Sequence, residues 1–422
     1  MGRDALFGDD LPKPASKAKD TGGGIKGFVQ FEGARTTPDP AHWSKLRTRA
    51  DLSSNGKLGD SLKWKLGIRL DYDFAYGIND FYNPDVEKNQ RWGAQLRENY
   101  VDFSAGNWDF RLGRQHVVWG EMVGLFFADV VSARDMREFI LPEFDQLRTP
   151  QWAARAEYFV NDIHAELLWI PVATVDNIGK PGAEFFPNQP VAPGFNARYL
   201  QERRSGNGAD NMNYGARVST LKNGWDVSAF YYRSTDINPT FYRDAVSQPG
   251  TLIYQARHDR IHQYGGTLAK DFGDIVWKAE GVYTRGRSFT SLNAMDSDGV
   301  VRQNTIDWAT GLDFTLPAES RLNVQVFQRQ YFGFNEDIIS DKRENGYSLL
   351  LNTKIVPNWE AQALFISSLN RPDWLFRPRV TWNFQRNWRW VLGADVFNGP
   401  SMGLFGRYDQ ADRVYSEVRY SF

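Results

Sequence analysis

Five histidines are the residues of this 422-residue chain best suited to metal binding or acid–base chemistry, because cysteine is absent. They are His42, His116, His164, His258 and His262. A catalytic or metal-binding histidine needs carboxylate, serine or other histidine side chains close to it. His258 and His262 are four residues apart, which suits a helix. On a strand, at about 3.3 Å per residue, they would lie roughly 13 Å apart and could not share a metal.

Motifs that place such groups together are also scarce. The sequence has no H-E-x-x-H motif and no convincing Ser–His–Asp set. We therefore predict that the protein is not an enzyme and that it holds no cofactor and no metal.

The composition indicates which elements position the remaining polar residues. The formal net charge is −1, which gives no reason to expect nucleic acid as a partner. Aromatic residues make up 15% of the chain, glycine is abundant at 37 residues, and the mean hydropathy is −0.53. No apolar run approaches the roughly 18–20 residues that a membrane helix needs. A polar, aromatic-rich and glycine-rich chain is typical of a membrane β-barrel, in which only alternate residues face lipid.

The last ten residues, 413–422, show this alternation most clearly. Successive side chains of a strand point to opposite faces. One face carries Val414, Val418, Tyr420 and Phe422, and the other carries Arg413, Glu417 and Arg419. A chain that stops on such a strand looks like a bacterial outer-membrane barrel. In those proteins the closing strand is also read by the barrel-assembly machinery, so we predict that Val418, Tyr420 and Phe422 form the insertion signal.

Similar alternation recurs along the chain, with short and long connections following each other in turn. Tight turns rich in Gly, Asn, Asp and Pro alternate with long loops, which is the asymmetry of outer-membrane barrels. We predict an all-β fold: a transmembrane antiparallel β-barrel of about 18 strands, with 16 possible and the strand near 44–54 the weakest, with both termini periplasmic. Strands are expected to start near residues 26, 44, 61, 91, 107, 150, 162, 213, 223, 259, 274, 302, 319, 343, 357, 373, 387 and 411.

Inward positions of these strands carry charges of both signs. Such charges either form cross-strand ion pairs that fix the shape of the barrel, or line a path and tune its selectivity. The ion-pair interpretation is favoured for any single residue. The predicted wall charges are Arg69, Asp71, Arg111, Arg155, Glu157, Lys278, Glu280, Arg377, Arg379 and Arg389.

Residues 118–149 are too apolar and too charged for an ordinary exposed loop. We predict that segment 118–149 folds into the lumen as a constriction or plug, with a cap outside the mouth as the alternative. Ser132 is predicted to cap a short helix over 133–140 that Pro142 ends. The residues predicted to form the constriction are Glu121, Phe126, Phe127, Asp129, Arg134, Asp135, Arg137, Glu138, Phe139 and Glu143.

The same region carries a family resemblance. Residues 113–121 read GRQHVVWGE, residues 129–143 read DVVSARDMREFILPE, and residues 148–152 read RTPQW. These blocks resemble a proteobacterial outer-membrane β-barrel family whose domain has no assigned function and which is distantly similar to alginate-export barrels. The resemblance implies a barrel fold. It also implies a periplasmic lipid-carrier-like protein and an inner-membrane pump of the resistance-nodulation-division class as partners.

The predicted organisation is a flexible periplasmic arm over 1–24 and a single barrel over 25–422. Residues 173–212 form the longest loop, expected to be extracellular and without regular structure because of its Pro and Gly. Its phenylalanines either offer a lip to an apolar substrate or pack against neighbouring loops, which is favoured. We expect a monomer embedded in outer-membrane lipid and lipopolysaccharide.

Three functions remain open at this point. The first is a channel that gives passage to hydrophobic or lipid-like molecules. The second is a pore for polar solutes or polysaccharide. The third is a plugged structural or docking barrel whose N-terminal arm is the working part.

Overall fold

A computed structural model describes residues 23–59, 61–120, 122, 128–191, 194–204, 206, 208–244, 250–293 and 295–422. Eighteen strands form one closed antiparallel barrel, because β18 pairs with β1 from Phe28↔Ser421 to Thr36↔Arg413. The strands are β1 Lys26–Thr36, β2 Trp43–Leu58, β3 Leu62–Asp73, β4 in two parts (Trp92–Leu96 and Asn99–Ala105), β5 Trp108–Gln115, β6 Gln151–Val160, β7 Ile163–Ile170, β8 Asn213–Lys222, β9 Trp225–Thr235, β10 Arg260–Asp271, β11 Ile275–Thr290, β12 Val300–Leu316, β13 Ser320–Phe332, β14 Arg343–Val356, β15 Trp359–Ser368, β16 Trp374–Gln385, β17 Trp388–Asn398 and β18 Arg413–Ser421.

The predicted fold class is confirmed, including the higher of the two strand counts. β2, the strand with the weakest pattern, runs for 16 residues and pairs along its length with β1 and β3. Its pattern is weak because its outward positions include Thr48 and Ser54 as well as Leu46 and Leu52. Pairing on both sides satisfies the backbone of this strand whatever its outward side chains are.

The two faces of the wall separate as the alternation predicts. On β3, Leu66, Ile68 and Leu70 are exposed on the outside, while Arg69 between them is buried on the inside. Aromatic residues such as Trp108 and Trp388 are exposed on the outside near the short turns. An outward apolar surface with aromatic residues at its edge fits the hydrocarbon and interface of a bilayer.

One end of the barrel carries short turns and the other carries long loops. Asn161, Asn223 and Asn358 adopt positive φ in the short turns, a conformation that asparagine tolerates better than most residues. β1 begins and β18 ends at this short-turn end. The periplasmic location of that end stays a prediction.

The long loops hold additional elements that sequence patterns predicted poorly. They contain the helices α1 Ala75–Ile78, α2 Pro84–Gln90 and α3 Phe144–Leu147, and a three-stranded sheet of Asn196–Arg203, Thr251–Arg257 and Thr240–Arg243. The expectation that loop 173–212 lacks regular structure is therefore wrong. Residues 196–203 contain no Pro or Gly, and they pair in parallel with a strand from another loop that the sequence alone does not place beside them. Among the described residues, no helix is long and apolar enough to cross a membrane.

The helix predicted over 133–140 is also wrong. Ala133 and Arg134 pair instead with Thr149 and Arg148 in a short antiparallel ladder of two residue pairs. Within the predicted helix, only Met136–Glu138 form one turn of 3₁₀-helix. Ser132 does not cap this turn, because its Oγ lies 2.8 Å from Asp129 Oδ1. Pairing with the end of the same segment competes successfully with a short helix, which has little stability of its own.

Candidate functional site

Segment 118–149 leaves β5 at the long-loop end, and its acidic residues lie among inward-facing cations of the wall. Glu138 contacts Lys45 and Arg47 of β2, the latter at 2.5 Å, and Arg413 of β18 at 3.4 Å. Burial alone would raise the pKa of Glu138, but the charges of Arg47, Lys45 and Arg413 lower it well below its usual value. The carboxylate is therefore fixed in its charged form, and it joins the segment to strands on both sides of the β1–β18 seam.

Glu143 makes a second attachment closer to the short-turn end. Its Oε1 accepts a hydrogen bond from Arg389 at 2.9 Å and lies 3.5 Å from Arg379, and its Oε2 lies 3.5 Å from Arg419. Burial would raise the pKa of Glu143, but these guanidinium groups together lower it to about 2. Three cations on β16, β17 and β18 thus hold one carboxylate of the segment.

Arginines of the wall also satisfy backbone carbonyl groups of the segment. Arg377 donates to the carbonyl of Leu141 at 2.7 Å, Arg69 to that of Gln146 at 3.0 Å, and Arg97 to that of Arg148 at 2.8 Å. Irregular backbone inside a barrel needs such partners where it has no strand neighbour, as at Leu141 and Gln146. The basic side of the wall, made by β2–β4 and β16–β18, therefore supports both the charges and the backbone of the segment.

The beginning of the segment is attached to another part of the wall by apolar packing. Trp119 is buried to 1% exposure, packs against Phe230 and Tyr232 of β9, and donates its Nε1 hydrogen to Glu166 Oε1 at 3.0 Å. Inward Leu168 belongs to the same cluster. The inner wall here is apolar, which differs from the mixed charge expected for inward positions.

The other side of the segment faces open space. A cavity of about 600 Å³ is bordered by the segment on one side and by inward residues of β10–β14 on the other. Apolar side chains of the segment line it: Met136, Phe139, Ile140, Phe144 and Leu147. The spaces beside Glu138 and Glu143, by contrast, measure about 30 and 40 Å³. The segment thus fills the basic side of the lumen and turns apolar side chains toward the open cavity. The wall on the far side of that cavity carries charged residues, among them Arg287, Asp307 and Arg329.

A second and larger cavity has a different lining. It measures about 1190 Å³ and is bordered by the α2 region, by loop 173–212 and by Arg69, Asp71 and Arg137. Its surface is mostly polar and charged, so the two cavities offer different environments to a solute.

Loop 173–212 lies across the mouth at the long-loop end. Phe185 packs in a buried cluster with Phe139 of segment 118–149 and with Phe397 and Tyr408, and it is 3% exposed. The neighbouring Phe186 belongs to a different cluster, formed with residues of the α1–α2 region and of the small sheet. Two consecutive phenylalanines therefore pack the loop into two different buried clusters at the mouth.

Each predicted wall charge has a partner in the part of the chain that the structure describes. Arg69 pairs with Asp51, Asp71 with Arg49, Arg111 with Asp102, Arg155 with Glu157, Lys278 with Asp313, Arg377 with Asp395, Arg379 with Glu143, Arg389 with Glu143 and Glu417, and Glu280 accepts from the Ala128 backbone N–H. The charges stand in pairs and networks, as a polar lumen with satisfied groups requires.

The remaining predicted residues of the segment form local contacts. Asp129 pairs with Arg148 at 2.9 Å, and Asp135 pairs with Arg137 at 2.6 Å. Arg134 pairs with Asp176 of loop 173–212 at 2.8 Å. The predicted positions Glu121, Phe126 and Phe127 lie outside the described residues.

Sequence reasoning missed the cations of β2 that hold Glu138. Lys45, Arg47 and Arg49 alternate with Leu46 and Thr48, so a period-two pattern of charge was present. It was not recognised because the outward side of this strand is only partly apolar.

Sequence reasoning also missed a Ser–His–Glu contact on the inner wall. His164 Nε2 lies 3.0 Å from Glu157 Oε1, and its Nδ1 lies 3.3 Å from Ser219 Oγ. Ser219 lies within β8, which pairs with β7 and β9 on its two sides, so the strand offers no free pair of backbone donors for an oxyanion. The contact has the residue types of a catalytic triad without the donors that acyl transfer needs.

The same site is the one described group that could hold a metal. Ligand atoms of Glu157, His164 and Glu166 lie within 4.8 Å of one another. However, Glu157 is already paired with Arg155 at 2.8 Å, and Glu166 accepts from Trp119. These contacts are better explained as part of the network that stabilises the wall.

A second pattern was overlooked in the search for motifs. Residues 399–403 read GPSMG, which fits G-x-S-x-G. That motif places its serine on a strained turn between a strand and a helix, beside a histidine. Ser401 is exposed in the loop between β17 and β18, and the hydrogen-bond partners found for the five histidines do not include it. The match therefore lacks the context that the motif requires.

The fold and the segment together define an outer-membrane type β-barrel with a loop attached to its inner wall. Among solved structures, the barrel is similar to OccAB1 of Acinetobacter baumannii, with 8% identity, a TM-score of 0.55 and coverage of 96% of this chain and 99% of that one. It is also similar to OccK8 (OprE) of Pseudomonas aeruginosa, with 9% identity, a TM-score of 0.53 and coverage of 94% and 97%. At these identities the likeness concerns the fold.

The chain belongs to the family described as "Protein of unknown function (DUF1302)", whose profile matches residues 41–422. This confirms the expected membership of an outer-membrane family without an assigned function. No curated protein sequence matches the chain. The likeness to alginate-export barrels stays a prediction.

Proposed function

We propose that the protein is an outer-membrane channel that gives passage to hydrophobic or lipid-like molecules along the apolar side of segment 118–149. The observation that carries this proposal is the asymmetry of the segment. Its carboxylates are held by wall arginines, and its apolar side chains border the open cavity of about 600 Å³. Apolar surface in contact with water is unfavourable, so the segment's side of the cavity favours the apolar part of an occupant. The charged wall side, with Asp307 and Arg329, suits the polar head of a lipid-like molecule.

The ion pairs also support a fixed rather than a moving constriction. Glu138 and Glu143 together contact six basic side chains on four strands near the β1–β18 seam: Lys45, Arg47, Arg379, Arg389, Arg413 and Arg419. Breaking several buried pairs at once is costly, since each leaves charges without partners. Cargo is therefore expected to pass beside the segment while the segment stays in place.

A polar-solute or polysaccharide pore is the second candidate. It is favoured by the cavity of about 1190 Å³, whose lining includes Arg69, Asp71, Asp135, Arg137 and Arg198. Since charged and polar groups can replace the hydration of a sugar or an ion, this chamber suits hydrophilic cargo. The two candidates differ in which cavity the cargo occupies, so they can be separated by experiment.

The barrel is proposed to work in the outer membrane as a monomer, with its short-turn end facing the periplasm. In this orientation a periplasmic lipid-carrier-like protein would meet the barrel at the end where β1 begins and β18 ends, and an inner-membrane pump would act on the other side of that carrier. The termini at one end of the barrel support this arrangement.

The test compares two matched substitutions that each add one carboxylate to one cavity. Ile140 lines the apolar cavity and Leu200 lines the polar one. Ile140→Glu, Leu200→Glu and the native protein are produced in porin-deficient Gram-negative cells. Uptake of a fluorescent long-chain acyl probe and of a radiolabelled monosaccharide is then measured against cells without the protein.

We expect the native protein to raise uptake of the acyl probe, Ile140→Glu to reduce that gain several-fold, and Leu200→Glu to leave it unchanged. If only monosaccharide uptake rises, and Leu200→Glu alters it while Ile140→Glu does not, the polar-pore candidate is correct instead. Heat-modifiable migration in gels shows whether each variant has folded as a barrel.

A further inference from the structure

His42 lies at the end of the β1–β2 connection, and both of its ring nitrogens face oxygen acceptors. Nδ1 lies 2.8 Å from the carbonyl oxygen of Pro40, and Nε2 lies 2.6 Å from Oε1 of Glu184 in loop 173–212. A neutral imidazole carries one N–H group and can satisfy only one of these acceptors, whereas an imidazolium satisfies both. The Thr36 hydroxyl also lies 3.2 Å from Nδ1, but it donates to the His42 carbonyl at 3.2 Å, and the Pro40 carbonyl is the nearer partner of Nδ1. The geometry around His42 therefore fits the protonated ring.

His258 repeats this arrangement on another side of the mouth. Its Nδ1 lies 2.8 Å from the carbonyl oxygen of Asp236, and its Nε2 lies 3.0 Å from Oε1 of Glu202. The side chain of His258 is fully buried. Glu202 belongs to the same loop 173–212 as Glu184, so two histidines from two different connections hold two carboxylates of one loop.

The other three histidines are surrounded differently. His116 Nε2 lies 3.4 Å from a nitrogen of Arg97, which can only donate, so that this ring nitrogen must accept. His164 Nδ1 faces the hydroxyl of Ser219, and His262 Nδ1 faces the hydroxyl of Tyr231. A hydroxyl can donate or accept, so a neutral ring satisfies both of these sites. A backbone carbonyl at Nδ1 together with a carboxylate at Nε2 is found at the two histidines that contact loop 173–212.

Further contacts strengthen the attachment at His42. The Tyr82 hydroxyl donates to Glu184 Oε1 at 2.9 Å, and the ring of Phe81 stacks on the imidazole with centroids 3.5 Å apart. Phe185 and Phe186 follow Glu184 directly and pack in two different buried clusters at the mouth. The position of Glu184 therefore decides whether this part of the loop stays across the mouth.

We propose that His42 and His258 are two proton-dependent clasps that hold loop 173–212 across the mouth of the barrel when their rings are protonated and release it when they lose the proton. Histidine is the side chain whose ordinary titration range lies within pH 5–8. The proposal concerns the closing of the mouth and does not depend on which cargo passes.

The groups around His42 support attachment of the loop at lower pH and release at higher pH. Burial alone would lower the pKa of His42, but its hydrogen bonds to Glu184 and to the Pro40 carbonyl raise the pKa above its usual value. A raised pKa in the folded state means that the stabilisation is complete below the ordinary value of about 6.5 and is lost as pH rises through the raised pKa. The side chains that face the ring are the Glu184 carboxylate, the Tyr82 ring and the Thr36 hydroxyl.

Around His258 the facing groups are already paired. Glu202 also binds Arg204 at 2.9 Å, and the Asp236 carboxylate binds Arg287 at 2.7 Å. Asp259, the next residue, accepts from the Tyr242 hydroxyl at 2.6 Å and lies 4.0 Å from Arg302. Each of these carboxylates therefore has a guanidinium or hydroxyl partner of its own.

One other group near the first clasp titrates in the same range. Burial raises the pKa of Asp412 to about 6, and the Asp412 carbonyl accepts from the Thr37 backbone N–H in the connection that carries His42. A carboxyl with a raised pKa also stabilises the folded form at lower pH. The experiment therefore needs Asp412→Asn as a control.

The primary measurement is hydrogen–deuterium exchange of peptides within residues 173–204 in the full-length protein in lipid nanodiscs. It is made at pH 5.5, 7.0 and 8.5, and each rate is divided by the intrinsic exchange rate at that pH. We expect protection of these peptides to fall as pH rises, by about tenfold for each unit by which a clasp raises the pKa of its histidine. Peptides of the β11–β12 wall should not change.

The variants separate the clasps from other causes. His42→Gln with His258→Gln should give low protection of the loop at every pH, equal to that of the native protein at pH 8.5. His164→Gln and Asp412→Asn should keep the native pH dependence. Constant protection in the native protein, or an equal pH dependence in the double variant, would overturn the proposal.

A measurement on the unaltered protein guards against variants that fail to fold. Carbon-13 spectra of histidine-labelled protein give the pKa of each ring. The proposal expects a ring with a pKa above the ordinary value, assigned to His42. If no ring titrates above about 6.5, both clasps are neutral at physiological pH and the proposal is wrong.

Discussion

Oε1 of Glu138 lies 2.5 Å from Nη1 of Arg47, although 91 residues separate them along the chain. The contact joins the first hairpin of the barrel to segment 118–149. The other carboxylate oxygen of Glu138 lies 3.4 Å from Arg413 in the last strand. One side chain of the segment thus binds both sides of the seam where the barrel closes.

Replacing Glu138 should destabilise the barrel, because it removes a charged partner of Lys45, Arg47 and Arg413. Glu32 still pairs with Lys45 at 2.8 Å and Arg47 at 3.2 Å, and Asp395 still pairs with Arg413 at 2.9 Å. Glu138→Gln is therefore expected to lower the free energy of unfolding by about 1.5–3 kcal/mol, as for a lost hydrogen bond to a charged group. Urea-induced unfolding in lipid vesicles measures the change. The matched control is Glu319→Gln, which removes an exposed pair with Lys354 and should change the free energy by about 0–1 kcal/mol. Equal effects of the two substitutions would show that the contacts of Glu138 stabilise the barrel no more than an exposed ion pair does.

As pH falls, the ion pairs of Glu143 should be lost before those of Glu138. The pKa of Glu143 is lowered to about 2, so its stabilisation is present above the ordinary value of about 4.3 and is lost as pH falls through about 2. Single-channel recordings from pH 4.5 down to pH 2 should show current fluctuations that grow near the lower limit. In Glu143→Gln the fluctuations should already be present at pH 4.5 and should not depend on pH. Fluctuations that begin near pH 4 in the native protein would contradict the lowered pKa.

The indole of Trp119 should stabilise the folded barrel through its hydrogen bond as well as through its packing. Trp119→Phe removes the donor that Glu166 accepts at 3.0 Å and leaves a buried carboxylate oxygen with one partner fewer. The expected loss is about 1–3 kcal/mol in the free energy of unfolding, besides the loss from packing. Trp152→Phe is the control, since Trp152 is exposed on the outer surface of β6. A loss no larger than that of the control would show that the Glu166 contact is not formed.

The last residue is expected to affect assembly rather than the finished fold. Phe422 exchanges backbone hydrogen bonds with Gly27 at 2.9 Å in both directions, and its ring is exposed on the outside. Phe422→Ala keeps both backbone bonds and removes only the ring that the assembly machinery is predicted to read. The yield of folded barrel in the membrane should fall several-fold, whereas Phe384→Ala, another exposed outward aromatic, should leave the yield unchanged. Unchanged yield for Phe422→Ala would contradict the predicted signal.

The position of the candidate path was only partly visible in the sequence. Glu138, Phe139 and Glu143 were selected from the composition of one segment, and the structure places all three against the wall or the cavity. The cations that hold them come from β2, β16, β17 and β18. A strand pattern states which face a cation occupies, but it does not state which cations from distant strands lie at one height in the barrel.

The loops show the same limit more strongly. His42 and Glu184 are separated by 142 residues, and His258 and Glu202 by 56. As isolated residues, the histidines gave no sign of chemistry. The role of each histidine depends on which carboxylate and which carbonyl oxygen lie beside its two ring nitrogens. Loop packing decides this.

The sequence by itself determined the barrel: the strand starts within about two residues, the two faces of the wall and the alternation of short turns and long loops. It left the strand number at 18 or 16, and pairing of β2 on both sides decided for 18. These features follow from a period of two and from turn residues, which act locally. Only the tertiary structure decided which side of segment 118–149 meets arginine and which side meets a cavity, and how loop 173–212 is held. Those outcomes depend on registers and loop contacts between residues far apart in the chain, and a local pattern carries no information about them.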